Sequence, residues 1–375
     1  MMTRTKKIAI VGAGVAGMAL AILATKQGHQ VSLFERGSNV SSMGAGVTLW
    51  PNAMFVMQKM GLDKKAMQVG GTPCMMRQFD QHGLFQTEFD ILAVNSLCGF
   101  PSVAVLRREL MSLLAGALES LGREIKFNCS ITAADVMKLS QEFDLVVGAD
   151  GRMNSVVRQA MYAEKVTPRY HGFVNVIGVG RQREGTLSNT IDDFRGQSER
   201  FGIVPVNDGW CYWAGAWKAP VDHELPRAHW RDELHRRFRD WPDPVQNVLL
   251  SCDSASVRGI FVHDIDPLPF WHKDNVLLIG DAAHASLPTS GQGACQALED
   301  AWSLTRLLKE SDDLEIALQG FYQQRHIKTS AAQLVGRQFA QKIFSEQPEP
   351  LLPASINSAA ELSRFWMQGL KHVAF

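Results

Sequence analysis

The stretch from Ile8 to Glu35 constrains this chain more than any other. An apolar run, Ile8-Ala9-Ile10-Val11, meets Gly12-Ala13-Gly14-Val15-Ala16-Gly17, after which Val15, Met18, Ala19, Ile22 and Leu23 recur at the spacing of one helix face. This predicts a strand, a tight turn and a helix, then a second strand over Gln30–Phe34 that ends in Glu35. The acid falls about 20 residues beyond the glycines, the separation that a strand-helix-strand unit requires.

Each residue type in that unit has a physical task. Gly12 permits the turn, Gly14 lets a pyrophosphate approach the backbone, and Gly17 lets helix and strand pack closely. The unpaired NH groups and positive dipole end of the new helix, with Ala16 in its first turn, face the diphosphate. Glu35 accepts from ribose hydroxyls and would repel a 2′-phosphate, so the ligand expected here is FAD or NAD and not NADP. Arg36 is counted with the same cofactor-binding positions. A purely structural glycine turn is the competing reading, weakened by the acid standing in register.

With 375 residues the chain has room for about two domains and a large core. Its 38 basic residues equal its 38 acidic ones, so no net field favours nucleic acid or an anionic membrane. Six cysteines lie scattered without a C-x-x-C pair and read as reduced core residues of a cytoplasmic protein. Arg4, Lys6 and Lys7 ahead of the apolar run imitate a secretory signal, but the glycine turn interrupts that run. No uninterrupted apolar segment approaches the ~18 residues of a membrane span. No metal-ligand set is expected.

The organisation expected is α/β: a Rossmann-like dinucleotide-binding domain made of residues 1–70, 105–168 and 266–310, interrupted by a second lobe and followed by a helical region over 311–375. The lobe comprises 71–104, read as short strands and loops, and 169–265, read as an antiparallel sheet. Strands are predicted over 173–181, 200–206 and 210–218, the last two joined by an Asn207-Asp208-Gly209 hairpin turn. A helix over 229–250 is broken near Pro242 and Pro244, and a long one covers 314–344. The small residues of the loop 41–46 can lie against a ligand, and Arg107 opens a helix carrying Leu110, Leu114 and Leu118. A solvated surface charge is the plain reading of Arg107, and a cation near the diphosphate or ribityl chain the sharper one.

Two further segments join the glycine motif. One is Gly148-Ala149-Asp150-Gly151 with Arg158; the other runs from Gly280-Asp281-Ala282-Ala283-His284 through Pro288 to Gly291-Gln292-Gly293-Ala294. Together the three resemble the single-component FAD-dependent aromatic hydroxylases, flavoprotein monooxygenases of the p-hydroxybenzoate hydroxylase type. Val47-Thr48-Leu49-Trp50-Pro51-Asn52 and His263-Asp264-Ile265 look most similar to urate and N-heteroaromatic hydroxylases.

The resemblance implies FAD held by Gly12, Gly14, Ala16, Gly17, Glu35, Arg36, Val47, Arg107, Asp150, Asp281, Gly291, Gly293 and Ala294. It also implies that NADH or NADPH reduces FAD, that O₂ adds at flavin C4a, and that the hydroperoxide oxygenates a small aromatic or N-heteroaromatic substrate. Arg200, Tyr212 and Pro288 are the substrate-pocket candidates by the same likeness. A packed strand competes for Trp210 to Trp213, a turn-forming Asp-Gly for Asp150, and a hydrogen-bonded structural histidine is preferred for His284. Segment 129–143 is too short for the family's strand meander, and Thr289 stands where some pyridine hydroxylases carry a histidine. A monomer or homodimer is expected. The alternatives kept open are an FAD-dependent prenyl-chain reductase and a non-catalytic flavin-binding protein.

Overall fold

In the computed structural model, residues 4–41, 44–182, 189–345 and 358–370 are described. The chain opens with β1 (Lys7–Val11), α1 (Val15–Lys26) and β2 (Gln30–Phe34), then β3 (Gly46–Leu49), α2 (Pro51–Met60) and α3 (Asp63–Val69). Next come β4 (Met75–Asp80), β5 (Phe85–Asp90), α4 (Ile91–Cys98), β6 (Val103–Leu106), α5 (Arg107–Ser120), β7 (Ile125–Lys126), α6 (Ala133–Glu142), β8 (Leu145–Gly148) and α7 (Val156–Met161). The second half runs β9 (Arg169–Arg181), β10 (Thr190–Arg195), β11 (Glu199–Pro205), β12 (Trp210–Lys218), α8 (Arg227–Arg237), α9 (Asp243–Leu250) and β13 (Arg258–Asp264). It closes with β14 (His272–Lys273), β15 (Val276–Leu278), α10 (Asp281–His284), α11 (Gly293–Glu310), α12 (Leu314–Phe344) and α13 (Ala359–Met367).

A six-stranded sheet in the order β14-β15-β8-β1-β2-β7 forms the first unit, parallel throughout except for β14. β1 lies at its middle because both neighbours pair with it and its apolar residues are buried. Residues Val15 to Ala24 of α1 are all buried, more than one face, because α5 and α11 also pack on the helix. Small residues on every side of α1 make that close enclosure possible.

The second sheet has seven strands in the order β13-β9-β12-β11-β10-β4-β5. One of its faces carries Val174, Val176, Phe201, Ile203, Trp213 and Trp217 against Trp230, Leu234 and Phe238 of α8 and Val245 and Val248 of α9. The turn between β11 and β12 has Asp208 at φ 56° and Gly209 at φ 72°, the backbone a two-residue hairpin needs. This sheet is mixed and not wholly antiparallel: β4, arriving from the earlier segment, pairs parallel with β10.

One local expectation changes, and two elements were not foreseen. Residues 91–98 form α4 where strands and loops were expected, with the Asp90 carboxylate accepting from Ala93 N and Gly99 ending the helix at φ 76°. The short 129–143 segment holds α6, started by a reciprocal cap between Thr132 and Asp135. Strand β10 went unpredicted because Asp192-Asp193 breaks the apolar alternation. Ser42 and Met43 of the small-residue loop lie outside the described residues. Among the described residues, no helix is long and apolar enough to cross a membrane.

Candidate active site

The carboxyl ends of β1, β2, β8 and β15 bring the Gly12 turn, Glu35, Asp150 and Asp281 to one edge of the six-stranded sheet. That edge, beside the strand where the order reverses, is where α/β sheets bind ligands. Gly12 sits at φ 106°, and a Cβ there would come 2.4 Å from the Ala149 carbonyl oxygen. At Gly17 a Cβ would stand 1.9 Å from the Gly12 oxygen. At Gly14, by contrast, it would meet nothing within 4 Å, so no protein atom demands glycine there. The N-terminus of α1 behind Gly14 also has no side-chain cap. An open cradle in front of unpaired NH groups is what a diphosphate requires.

Glu35 is tied into this turn. Its carboxylate accepts from Ala13 N at 2.9 Å and from Gly37 N at 2.8 Å, one oxygen for each, which leaves lone pairs for hydroxyl donors. Arg36 is exposed beside it. Arg107 begins α5, and among the described residues its guanidinium has no hydrogen-bond partner, with Nε buried. Burial lowers its pKa; the charge of Asp281 opposes that effect and Arg152 adds to it. A desolvated cation with no hydrogen-bond partner among the described residues is suited to a ligand phosphate oxygen as acceptor.

Asp150 is engaged locally. Ser155 Oγ donates to it at 2.6 Å, Val156 N at 2.7 Å and Val157 N at 3.3 Å, so the carboxylate caps the start of α7. Burial pushes its pKa up against those bonds. Arg158, 2 % exposed, donates to the Ala282 carbonyl at 2.9 Å and the Arg152 carbonyl at 2.6 Å, and so fastens the second motif to the third.

The third motif rests on buried charges that the sequence reading missed. Asp300 of α11 accepts from Gly280 N at 2.8 Å and faces His284 Nε2 at 2.6 Å, which gives His284 a structural partner. Arg325 of α12 donates to Asp300 at 2.8 Å and also binds Glu299. Burial opposes the Asp300 carboxylate, yet His284 and Arg325 hold its pKa below the ordinary range. Burial also works against Arg325, and Glu299 with Asp300 more than offsets it. The signal available was Glu299-Asp300 standing between Leu298 and Ala301, two acids within an apolar helix face. Beyond this support, Gly291 takes φ 62°, and α11 opens at Gly293 and Ala294 with no side-chain cap. Val47 is half-buried on β3, paired with Val105.

The other face of the second sheet meets this region. Register places Arg200 beside Ala216, and Val204 beside Tyr212, so Arg200 and Tyr212 point from the same face. At one end of that face the Tyr212 ring lies on Gly46, where a Cβ would clash at 2.0 Å, and the Tyr212 hydroxyl is 2.7 Å from Thr48 Oγ1. At the other end Phe173 and Ala216 pack with Leu287, next to the exposed Pro288. Arg200 and Arg195 both bind Asp193, which is 2 % exposed, leaving one uncompensated positive charge. Burial pushes the Tyr212 pKa up, and the Thr48 bond opposes it only in part. Thr289 Oγ1 donates to the Gly336 carbonyl at 2.6 Å and so fastens the loop to α12.

A Gly14 cradle, an uncapped α1 and an Arg107 with no hydrogen-bond partner among the described residues all fit a dinucleotide carrying a diphosphate. A largely parallel sheet with a glycine-turn edge, joined to a second, seven-stranded sheet, is the fold shared with the FAD-dependent aromatic hydroxylases. The chain belongs to the FAD binding domain family, which it matches over residues 5–312. It is 31% identical over 326 residues to the aurachin C monooxygenase/isomerase of Stigmatella aurantiaca, covering 83% of this chain and 82% of that one. It is 27% identical over 364 residues to the FAD-dependent urate hydroxylase of Mycolicibacterium vanbaalenii, covering 92% and 90%. The crystal structure of Klebsiella pneumoniae HpxO complexed with FAD and uric acid superposes with a TM-score of 0.80 at 25% identity, covering 91% of this chain and 89% of that one.

Proposed function

We propose that this protein is an NADH- or NADPH-dependent monooxygenase that uses FAD and O₂ to hydroxylate a small aromatic or N-heteroaromatic compound. The observation that carries the reading is the placement of Arg200 and Tyr212 on the one sheet face that meets the Gly46–Thr48 strand and the Leu287–Pro288 loop. FAD, held by the Gly12–Gly17 turn, Glu35, Arg107, Asp281 and the Gly293 helix start, supplies hydride acceptance and activation of dioxygen. The chain's own groups orient the substrate ring and shut out water. The surplus positive charge of the Arg195-Asp193-Arg200 cluster favours a ring that develops negative charge on oxygen. Tyr212, kept as a neutral phenol by burial, donates to or accepts from a ring heteroatom. The relative named for urate, an N-heteroaromatic ring, supports the same substrate class.

The test is a panel of hydroxylated N-heteroaromatics screened for stimulated NAD(P)H oxidation, with product mass measured. The expected result is a product heavier by one oxygen atom, formed only under O₂. Saturation of a substrate double bond without O₂ would establish the prenyl-reductase alternative. Absence of any NAD(P)H consumption with flavin bound would leave a flavin-binding protein.

A further inference from the structure

We propose that Trp50 is a positioning residue for the flavin-facing end of α11, and that α13 belongs to the same device through Trp366. Trp50 immediately precedes α2, and its indole Nε1 donates to the Gly291 carbonyl at 3.0 Å. Gly291 lies in the left-handed region between the Pro288–Ser290 turn and α11. The next amide, Gln292 N, donates to Ser290 Oγ at 3.2 Å. The peptide between Gly291 and Gln292 is therefore held on both of its polar sides. It is also the last peptide before the uncapped NH groups of Gly293 and Ala294, so any rotation of it re-aims them.

The indole is itself held in place. A Cβ at Gly291 would come 3.3 Å from Trp50 Nε1, so the ring packs directly on the turn. On the indole's other contact, Trp366 of α13 lies with its ring centroid 5.0 Å away at an interplanar angle of 35°. Trp366 is 6 % exposed, and its carbonyl accepts from Lys328 Nζ at 2.6 Å. Lys328 in turn binds Glu299 of α11 at 2.8 Å. The circuit closes on itself: α11 holds Lys328, Lys328 holds α13, α13 backs Trp50, and Trp50 holds the turn from which α11 begins.

This inference rests on α11 presenting its first NH groups to the flavin. Trp50→Phe keeps a ring toward Trp366 and removes the donor, together with part of the ring's packing on the turn. Titration of the apoprotein with FAD, followed by flavin fluorescence, is expected to show Kd raised roughly three- to tenfold, the worth of one hydrogen bond. Photoreduction of the loaded protein, without nicotinamide or substrate, is expected to give a more negative midpoint potential, because the reduced ring's charge loses well-aimed donors. Trp366→Leu leaves the indole bond but removes its backing, and should move both readouts the same way by less. Trp241→Phe, in the aromatic core beneath α8, should move neither. Wild-type affinity and potential in Trp50→Phe overturn the proposal, as does a changed affinity with an unchanged potential. If Trp50→Phe does not fold, Trp366→Leu decides by the same criteria. Failure of the wild-type apoprotein to take up FAD would instead overturn the reading of the whole site.

Discussion

Tyr212 and Thr48 share a 2.7 Å hydrogen bond that crosses from the seven-stranded sheet to β3. The bond fixes the phenol over Gly46, whose missing side chain makes room for the ring. Tyr212→Phe should lower turnover by about a hundredfold, the scale of a lost proton-transfer group, while the purified protein keeps its full flavin content. Steady-state kinetics beside the visible spectrum check this. Unchanged turnover would return Tyr212 to a packing role.

The glycines of the first turn should separate into two kinds. At Gly17 a Cβ would stand 1.9 Å from a backbone oxygen, so Gly17→Ala should fail to give folded protein. At Gly14 there is space, so Gly14→Ala should fold with near wild-type thermal stability and yet bind FAD tenfold or more weakly, about 1.4 kcal/mol. Calorimetry together with FAD titration distinguishes the two.

The charge of Asp281, the first residue of α10, acts on Arg107. Asp281→Ala should release flavin during gel filtration that the wild type retains. Tight, full occupancy in that variant would remove Asp281 from the cofactor site.

Arg325 binds two acids that are both fully buried. Arg325→Met leaves Glu299 and Asp300 short of a cation in a dry interior, at a cost of about 3–5 kcal/mol. Thermal unfolding of the apoprotein should show a large drop in Tm, and Gly280, held by Asp300, should gain amide exchange.

Asp192 lies on β10 with its pKa raised by burial to about 6 from an ordinary 3.8, with Arg77 opposing the shift. Folding therefore favours the protonated acid. The stability this gives is present below the unfolded value and is lost as pH rises through the folded one. Asp192→Asn should be more stable than wild type at about pH 7.5, and the advantage should shrink through pH 6 and vanish near pH 4. A constant difference across that range would show that the carboxyl does not titrate as stated.

Local signals in the sequence read well where the physics is local. The β1-α1-β2 unit could be bounded because a glycine turn, an apolar period and a terminal acid all lie within one short stretch. The Asp208-Gly209 hairpin was legible for the same reason, since positive φ is a property of those residues themselves. The α6 cap was not, because Asp135 fills the place usually held by Glu or Gln. Nor was the support of the third motif, since Asp300 and Arg325 lie 25 residues apart and a charge burial becomes visible only when two helices meet. Asp150 illustrates the remaining gap. Its position at a strand end can be read from the motif, but its bonds to Ser155 and Val156 arise from how the chain turns afterwards.

The parallel pairing of β4 with β10 has a consequence for synthesis. As the ribosome releases the chain, the β4-β5 hairpin emerges long before the strand that will border it, and waits with an open edge. A contiguous fragment spanning only 169–265 would carry the reciprocal defect along β10, an edge that invites intermolecular pairing. The seven-stranded sheet therefore cannot be excised as one uninterrupted piece of gene.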